Sequence, residues 1–106
     1  MAVALVEDKQ ARDIMLLDLR QLNTIADYFV ICSGDNDRQL RAIVDAVDQG
    51  VARETGRDPK IEGAPDSGWV ILDYGDVVIH IFSAAQREFY RLERLWNQAT
   101  PVVVLQ

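Results

Sequence analysis

Three groups of residues have the types and spacing to carry chemistry. Asp35-Asn36-Asp37 follows the Ser33-Gly34 turn between an apolar run and a helical pattern. Two carboxylates in such a place can hold Mg²⁺ against a triphosphate. The same residues also suit the start of a helix, where short polar side chains cap exposed amides and acids favour the positive end. Capping accounts for them without catalysis, and no glycine-rich phosphate cradle with a following Lys occurs in the chain. Cys32, His80 and Asp73 can be drawn as nucleophile, base and orienting acid. Cys32, however, closes an apolar run, where a free cysteine behaves as a small buried hydrophobe. His80 lies diagonal to Asp73 across a hairpin, within hydrogen-bond reach if their rotamers allow, as a local structural pair would. The third group is aromatic. Trp69 and Phe82 sit opposite each other at the open end of that hairpin, with Ile71 and His80 behind them. Aromatic rings beside a few polar groups have the composition of an interface hot spot. Coverage of that face by one of the chain's own helices is the competing reading, and the residues do not decide between them.

The elements that position these groups follow from hydrophobic period and turn chemistry. Residues 2–11 read as a short helix with Val3, Leu5 and Val6 on its apolar side. Residues 14–19 read as a strand with Met15, Leu17 and Leu19 on one face, and Asp18 and Arg20 surfacing on the other. The unbroken apolar run at 28–32 suits a central strand buried on both faces. A helix over residues 37–54 carries the stripe Leu40, Ile43, Val44, Val47 and Val51. Asn36 with Gln39 three residues later reads as its capping pair. Residues 56–68, with Pro59, Gly63, Pro65 and Gly68, read as a loop holding a short strand near 60–62.

Residues 69–74 and 77–82 flank Gly75-Asp76, a two-residue hairpin signal. That turn sets Tyr74 against Val77, Leu72 against Ile79 and Val70 against Ile81, a face apolar enough to be core. The other face carries Trp69, Ile71, Asp73, Val78, His80 and Phe82, too apolar to be left in water. A last helix over 84–98 has Ala85, Phe89, Leu92 and Trp96 as its buried stripe, with Arg87, Tyr90 and Arg94 on another side. The tail at 101–105 reads as either an edge strand or a disordered end.

Composition narrows the function classes. The chain has 106 residues, 49% of them hydrophobic and 26% charged, which suits one globular core in a single domain. One Cys and one His exclude the usual zinc sets and an internal disulfide. No apolar run is long enough to span a bilayer, and the acidic N-terminus lacks the cations of a targeting peptide, so a cytoplasmic location is expected. The formal net charge of −6 argues against direct sequence-specific nucleic-acid binding. The acids are concentrated between residues 58 and 76, where Asp58, Glu62, Asp66, Asp73 and Asp76 outnumber Lys60. A partner with a basic surface is steered toward such a segment.

The hairpin sequence Trp69-Val-Ile-Leu-Asp73-Tyr-Gly75-Asp76-Val-Val-Ile-His80-Ile-Phe82, with Arg87-Glu-Phe-Tyr90 and Leu92-Glu93-Arg-Leu95-Trp96, resembles the signature of the ribosomal silencing factors, the Iojap-related family. Asp27-Tyr28-Phe29-Val30-Ile31-Cys32-Ser33-Gly34 and Arg38-Gln39 are similar to its other motif. The likeness runs from about Ile14 to Trp96. It departs at Asp35-Asn36-Asp37, where relatives more often carry small polar residues before the Arg-Gln pair, and at Ser83, where many have His or Gln.

The resemblance implies an α/β (α+β) fold: a mixed sheet of four to five strands with flanking helices, similar to a nucleotidyltransferase core without its catalytic machinery. It implies no enzymatic activity and no cofactor. It further implies binding to the large ribosomal subunit through a ribosomal protein on the intersubunit face, which blocks joining with the small subunit under nutrient limitation, and a homodimer. The expected partner site is Trp69, Asp73, His80 and Phe82 on the hairpin, Asp76 at its turn, and Arg87 and Tyr90 on the next helix. The reading from a different class is a Mg²⁺-dependent nucleotidyltransferase using Asp35 and Asp37.

Overall fold

The computed structural model describes the backbone of residues 2–20, 26–90 and 100–105, and the side chains of residues 3–20 and 26–87. The elements are α1 (Ala2–Asp8), β1 (Arg12–Asp18), β2 (Tyr28–Gly34), α2 (Asp37–Thr55), β3 (Lys60–Ala64), a 3₁₀ turn (Pro65–Ser67), β4 (Trp69–Asp73), β5 (Val77–Ser83), α3 (Ala84–Tyr90) and β6 (Thr100–Leu105). The strands form one mixed sheet in the order β3-β4-β5-β2-β1-β6. Among the described strands only β2 and β5 run parallel; the other neighbours are antiparallel. The tail left open by its sequence is therefore an edge strand, and β3 is the opposite edge.

Parallel strands need a long crossover, and α2 with the β3–β4 hairpin supplies it between β2 and β5. The apolar run of β2 lands at the centre, with Val30, Ile31 and Cys32 almost wholly buried. Its alternate side chains feed two cores. Val30 and Cys32 join Leu40, Ile43, Val47 and Val51 of α2 on one face, together with Val70, Leu72, Tyr74, Ile79 and Ile81 of the hairpin. Ile31 joins Leu17, Leu19, Ala26, Val78 and Phe82 on the other. The hairpin register is the one its turn dictates, with Leu72 opposite Ile79, Val70 opposite Ile81, and the Tyr74 amide donating to the Val77 carbonyl at 2.9 Å.

α1 is shorter than its apolar pattern suggests, because the chain turns at Gln10, whose φ is +62°. The carbonyls of Lys9 and Gln10 accept from the Gln39 side-chain amide at 3.2 and 3.0 Å, so α2 holds the end of α1. Gly50 allows the close crossing of these helices, since a Cβ there would lie 2.6 Å from Leu5 Cδ2. β1 starts two residues early and carries an irregularity between Arg12 and Met15, at Asp13 with φ +49°. Ala85 is exposed rather than part of a buried stripe. At this first turn of α3 it is Gln86 and Arg87 that turn partly inward. Phe89, Leu92 and Trp96, and the rest of the expected helix to residue 98, lie outside the described side chains.

Asn36 caps α2 as expected: its side-chain oxygen accepts from the Gln39 amide at 2.8 Å. Asn36→Ala should therefore cost about 1 kcal/mol, while Asp37→Asn, which removes only a favourable charge in the first turn, should cost less. Urea unfolding of the two variants checks both the size and the order of these losses.

Candidate functional site

The mixed face of the hairpin is built from an antiparallel ladder in which Trp69 pairs with Phe82, Ile71 with His80 and Asp73 with Val78. Period-two alternation puts these six side chains on one face. At the open end the Trp69 indole stacks on Phe82 with ring centres 4.9 Å apart and planes 25° from parallel. Its Nε1–H donates to His80 Nδ1 at 3.3 Å. His80 packs in turn against Phe29 of β2, ring centres 4.7 Å apart. The accepting Nδ1 leaves the ring proton on Nε2, which is buried with no hydrogen-bond partner among the described residues.

Phe82 is 0% exposed, His80 6% and Val78 9%, all within the single chain. The greasy face is thus mostly covered by the protein itself, which answers the choice its sequence left open. Trp69, Ile71 and Asp73 remain half-buried. Gly68 brings the chain to Trp69 with φ +82°, and its carbonyl accepts from the Ser83 amide at 2.8 Å. A side chain at Gly68 would meet Gln86 Cγ at 2.6 Å and Ser83 Oγ at 2.8 Å, so α3 and Trp69 are held close.

The other expected site residues are spread along the hairpin. Asp73 lies four ladder steps from Trp69, roughly 14 Å at strand spacing, and Asp76 is at the far turn. Asp73 does not hydrogen-bond His80; its Oδ1 accepts from the Gly75 amide at 2.7 Å and shapes the turn. Asp76 Oδ1 pairs with Arg57 Nη2 at 2.8 Å, and the same guanidinium donates to the Tyr74 carbonyl and lies over the Tyr74 ring. The Asp76 carbonyl also accepts from the Asp27 and Tyr28 amides at 2.7 and 3.1 Å. Arg57 is a residue that sequence reasoning missed, and nothing in its local pattern announces a partner 19 positions away. Phe29 was legible by parity once β2 was placed beside β5.

Arg87 belongs to the aromatic end: it donates to the Asp13 carbonyl and, at 3.1 Å, to Ser33 Oγ, and Ser33 pairs with Phe82 in the sheet. Tyr90 closes the described part of α3, and its side chain lies outside the described residues. Trp69, His80, Phe82 and Arg87 therefore gather at one end, and Asp73 and Asp76 at the other.

The catalytic readings fare differently from this face. Cys32 pairs with Ile81 and Ile31 with His80, so the Cys32 thiol and the His80 ring sit on opposite faces of the sheet. Burial also pushes the thiol up to about 12, far from a thiolate at neutral pH. Asp35 lies 3.4 Å from Arg12 Nε, and Asn36 between the two acids is taken up by its cap. Among the described residues, no three His, Cys, Asp or Glu side chains converge as metal ligands.

The fold and this face define a mixed-sheet α/β domain whose presented feature is an aromatic hairpin end with an acidic turn. The family described as "Ribosomal silencing factor during starvation" matches residues 1–106, and the chain belongs to it. A ribosomal silencing factor of Bacillus subtilis is 40% identical over 98 residues, covering 92% of this chain and 83% of that protein. The mouse protein named mitochondrial assembly of ribosomal large subunit protein 1 is 38% identical over 100 residues, covering 92% of this chain and 44% of that one. A crystal structure of a protein from Chromobacterium violaceum superposes with a TM-score of 0.85 at 34% identity, covering 92% of this chain and 81% of that one. Among the described residues no helix is long and apolar enough to cross a membrane.

Buried His80 makes a pH prediction. Burial lowers its pKa from 6.5 to about 4, with Asp73 opposing weakly. The folded state therefore refuses a proton that the unfolded chain binds below about pH 6.5. The stability from neutral His80 is complete above pH 6.5 and is lost as pH falls toward 4, by about 3 kcal/mol in all. Arg57 and Arg20 hold Asp76 and Asp18 below the usual carboxylate range, mainly by hydrogen bonding, and their contribution goes at lower pH still. Urea midpoints measured from pH 7.5 to 4 should fall in wild type and flatten over that window in His80→Leu.

Proposed function

We propose that this protein binds the large ribosomal subunit on the face that meets the small subunit, by way of a basic ribosomal protein. By occupying that face it blocks subunit joining and represses translation under nutrient limitation, in the cytoplasm and without catalysis. The observation that carries this reading is the half-buried Trp69 ring stacked on buried Phe82 and bonded to His80, in a chain of a silencing-factor family. The name of the mouse relative, with its large-subunit assembly, supports the choice of subunit. The placement of Cys32 and His80 on opposite faces, and of Asn36 as a cap between Asp35 and Asp37, supports a binding rather than a catalytic role.

In this reading the labour within the site is divided. Trp69 is the contact, with Phe82 and His80 beneath it as support rather than as contacts of their own. Arg87 braces the same end from α3, and Tyr90, whose side chain lies outside the described residues, is kept in the proposed site from the sequence. Asp73 and Asp76 at the acidic end steer a basic partner, as rim charges do.

Trp69→Ala should weaken binding to purified large subunits by about 2 kcal/mol, roughly thirtyfold, chiefly through faster dissociation. Reversing Asp73 and Asp76 to Lys should instead slow association and flatten its salt dependence. Co-sedimentation with large subunits and a light-scattering assay of subunit joining test both, with melting curves to confirm that each variant is folded. Wild-type protein that neither binds large subunits nor slows joining would overturn the reading.

A homodimer of about 24 kDa, twice the 12.0 kDa chain, is part of the same proposal. The surface that supports it is the free edge of β3, where Ile61 is 46% exposed, the one large exposed hydrophobic among the described residues. Ile61→Lys should lower the light-scattering mass toward that of one chain, and a wild-type mass of one chain at micromolar concentration removes the dimer.

A further inference from the structure

The geometry points to His80 as a positioning residue that locks the Trp69 indole in one orientation and so preorganises it for docking. This rests on the docking reading above and adds how the contact residue is held.

His80 is an odd choice for its position. Its ladder neighbours on the same face of β5 are Val78 and Phe82, and all three are nearly inaccessible. An apolar side chain would pack there without leaving a buried donor, whereas the Nε2–H of His80 is buried with no partner among the described residues. What the imidazole adds is an acceptor, Nδ1, at 3.3 Å from the Trp69 Nε1–H. Two contacts among the described residues bear on the orientation of the indole ring. Stacking on Phe82 at 4.9 Å sets its plane but tolerates rotation within that plane. The directional hydrogen bond to His80 removes that rotation. His80 can serve only because it is itself wedged, against Phe29 at 4.7 Å and beside Phe82, with its ring 11° from parallel to the Phe82 ring at 6.2 Å. A half-buried indole N–H can be satisfied by water, so the bond is not required for solvation. Its effect is on orientation, and a contact ring ordered before binding loses less freedom on docking.

The test separates orientation from stability. His80→Leu removes the acceptor and the unpartnered donor together; His80→Asn keeps an oxygen close to the place of Nδ1. In a Trp96→Phe background Trp69 is the only indole of the two in the chain. There His80→Leu should shift the Trp69 indole N–H resonance and speed its exchange with water, with little change in melting temperature at pH 7.5. In the otherwise natural sequence it should speed dissociation from purified large subunits roughly tenfold, and His80→Asn should restore both the resonance and the slow dissociation.

An unchanged indole signal and dissociation rate in His80→Leu would overturn the proposal, as would a binding loss that only tracks a lower melting temperature. Should His80→Leu fail to fold, nitrogen-15 spectra of wild-type His80 decide instead. A neutral ring with its proton on Nε2 supports the lock, and a proton on Nδ1 overturns it. If wild type does not bind large subunits, the docking reading falls and with it the role in docking, while the indole and imidazole spectra still show whether His80 holds the ring.

Discussion

The parallel pairing of β2 with β5, seven residues from Tyr28 opposite Val77 to Gly34 opposite Ser83, is the contact on which the positions of the other elements depend. It joins segments about fifty residues apart, so its loop-closure cost falls on the whole intervening chain. That cost is offset by two cores at once, because β2 contributes Val30 and Cys32 to one face and Ile31 to the other. With the pair formed, α2 must lie over the first face, and the β3–β4 hairpin must return on the far side of β5. The end of β5 then leads directly into α3, whose Arg87 reaches back to Ser33 of β2.

Polar side chains at the element ends keep this arrangement from sliding. Gln39 receives no fewer than two tasks, since its backbone amide is capped by Asn36 while its side chain holds the carbonyls ending α1. Arg57 does similar work at the hairpin turn, where it bonds the Asp76 carboxylate and the Tyr74 carbonyl. The turn in turn accepts the Asp27 and Tyr28 amides that open β2. An acid that reads as a free steering charge in sequence is thus also part of the frame, and exposed pairs of this kind work more through geometry than through strength.

The hairpin carries two separate chemistries at its two ends. Near α3, aromatic rings are stacked and hydrogen-bonded around a neutral His80; near the turn, carboxylates are spent on amides and a guanidinium. Low dielectric at the first end keeps His80 uncharged and strengthens its bond to Trp69. Water and salt at the second end screen the acids and weaken their pairs. One ladder about 14 Å long separates the two, so a partner that touches both must span most of the hairpin.

Local pattern was enough for much of this. The two-residue turn at Gly75-Asp76 and strict alternation made the hairpin register legible, including the opposition of Trp69 and Phe82. The stripe from Leu40 to Val51 and the Asn36–Gln39 pair made α2 and its cap legible. Such features are encoded within windows shorter than a helix, where period and turn chemistry act directly. What the chain alone did not disclose were the relations between distant segments. That Cys32 and His80 face apart follows from the β2–β5 register; that Arg57 meets Asp76, Gln39 meets Lys9 and Arg87 meets Asp13 follows from the packing of whole elements. The Asp73–His80 contact that the hairpin left within reach gave way because Asp73 had a nearer amide in its own turn, and His80 an indole across the ladder. Whether the greasy hairpin face was wet or dry was likewise a tertiary matter, because burial depends on what the rest of the chain brings over a surface.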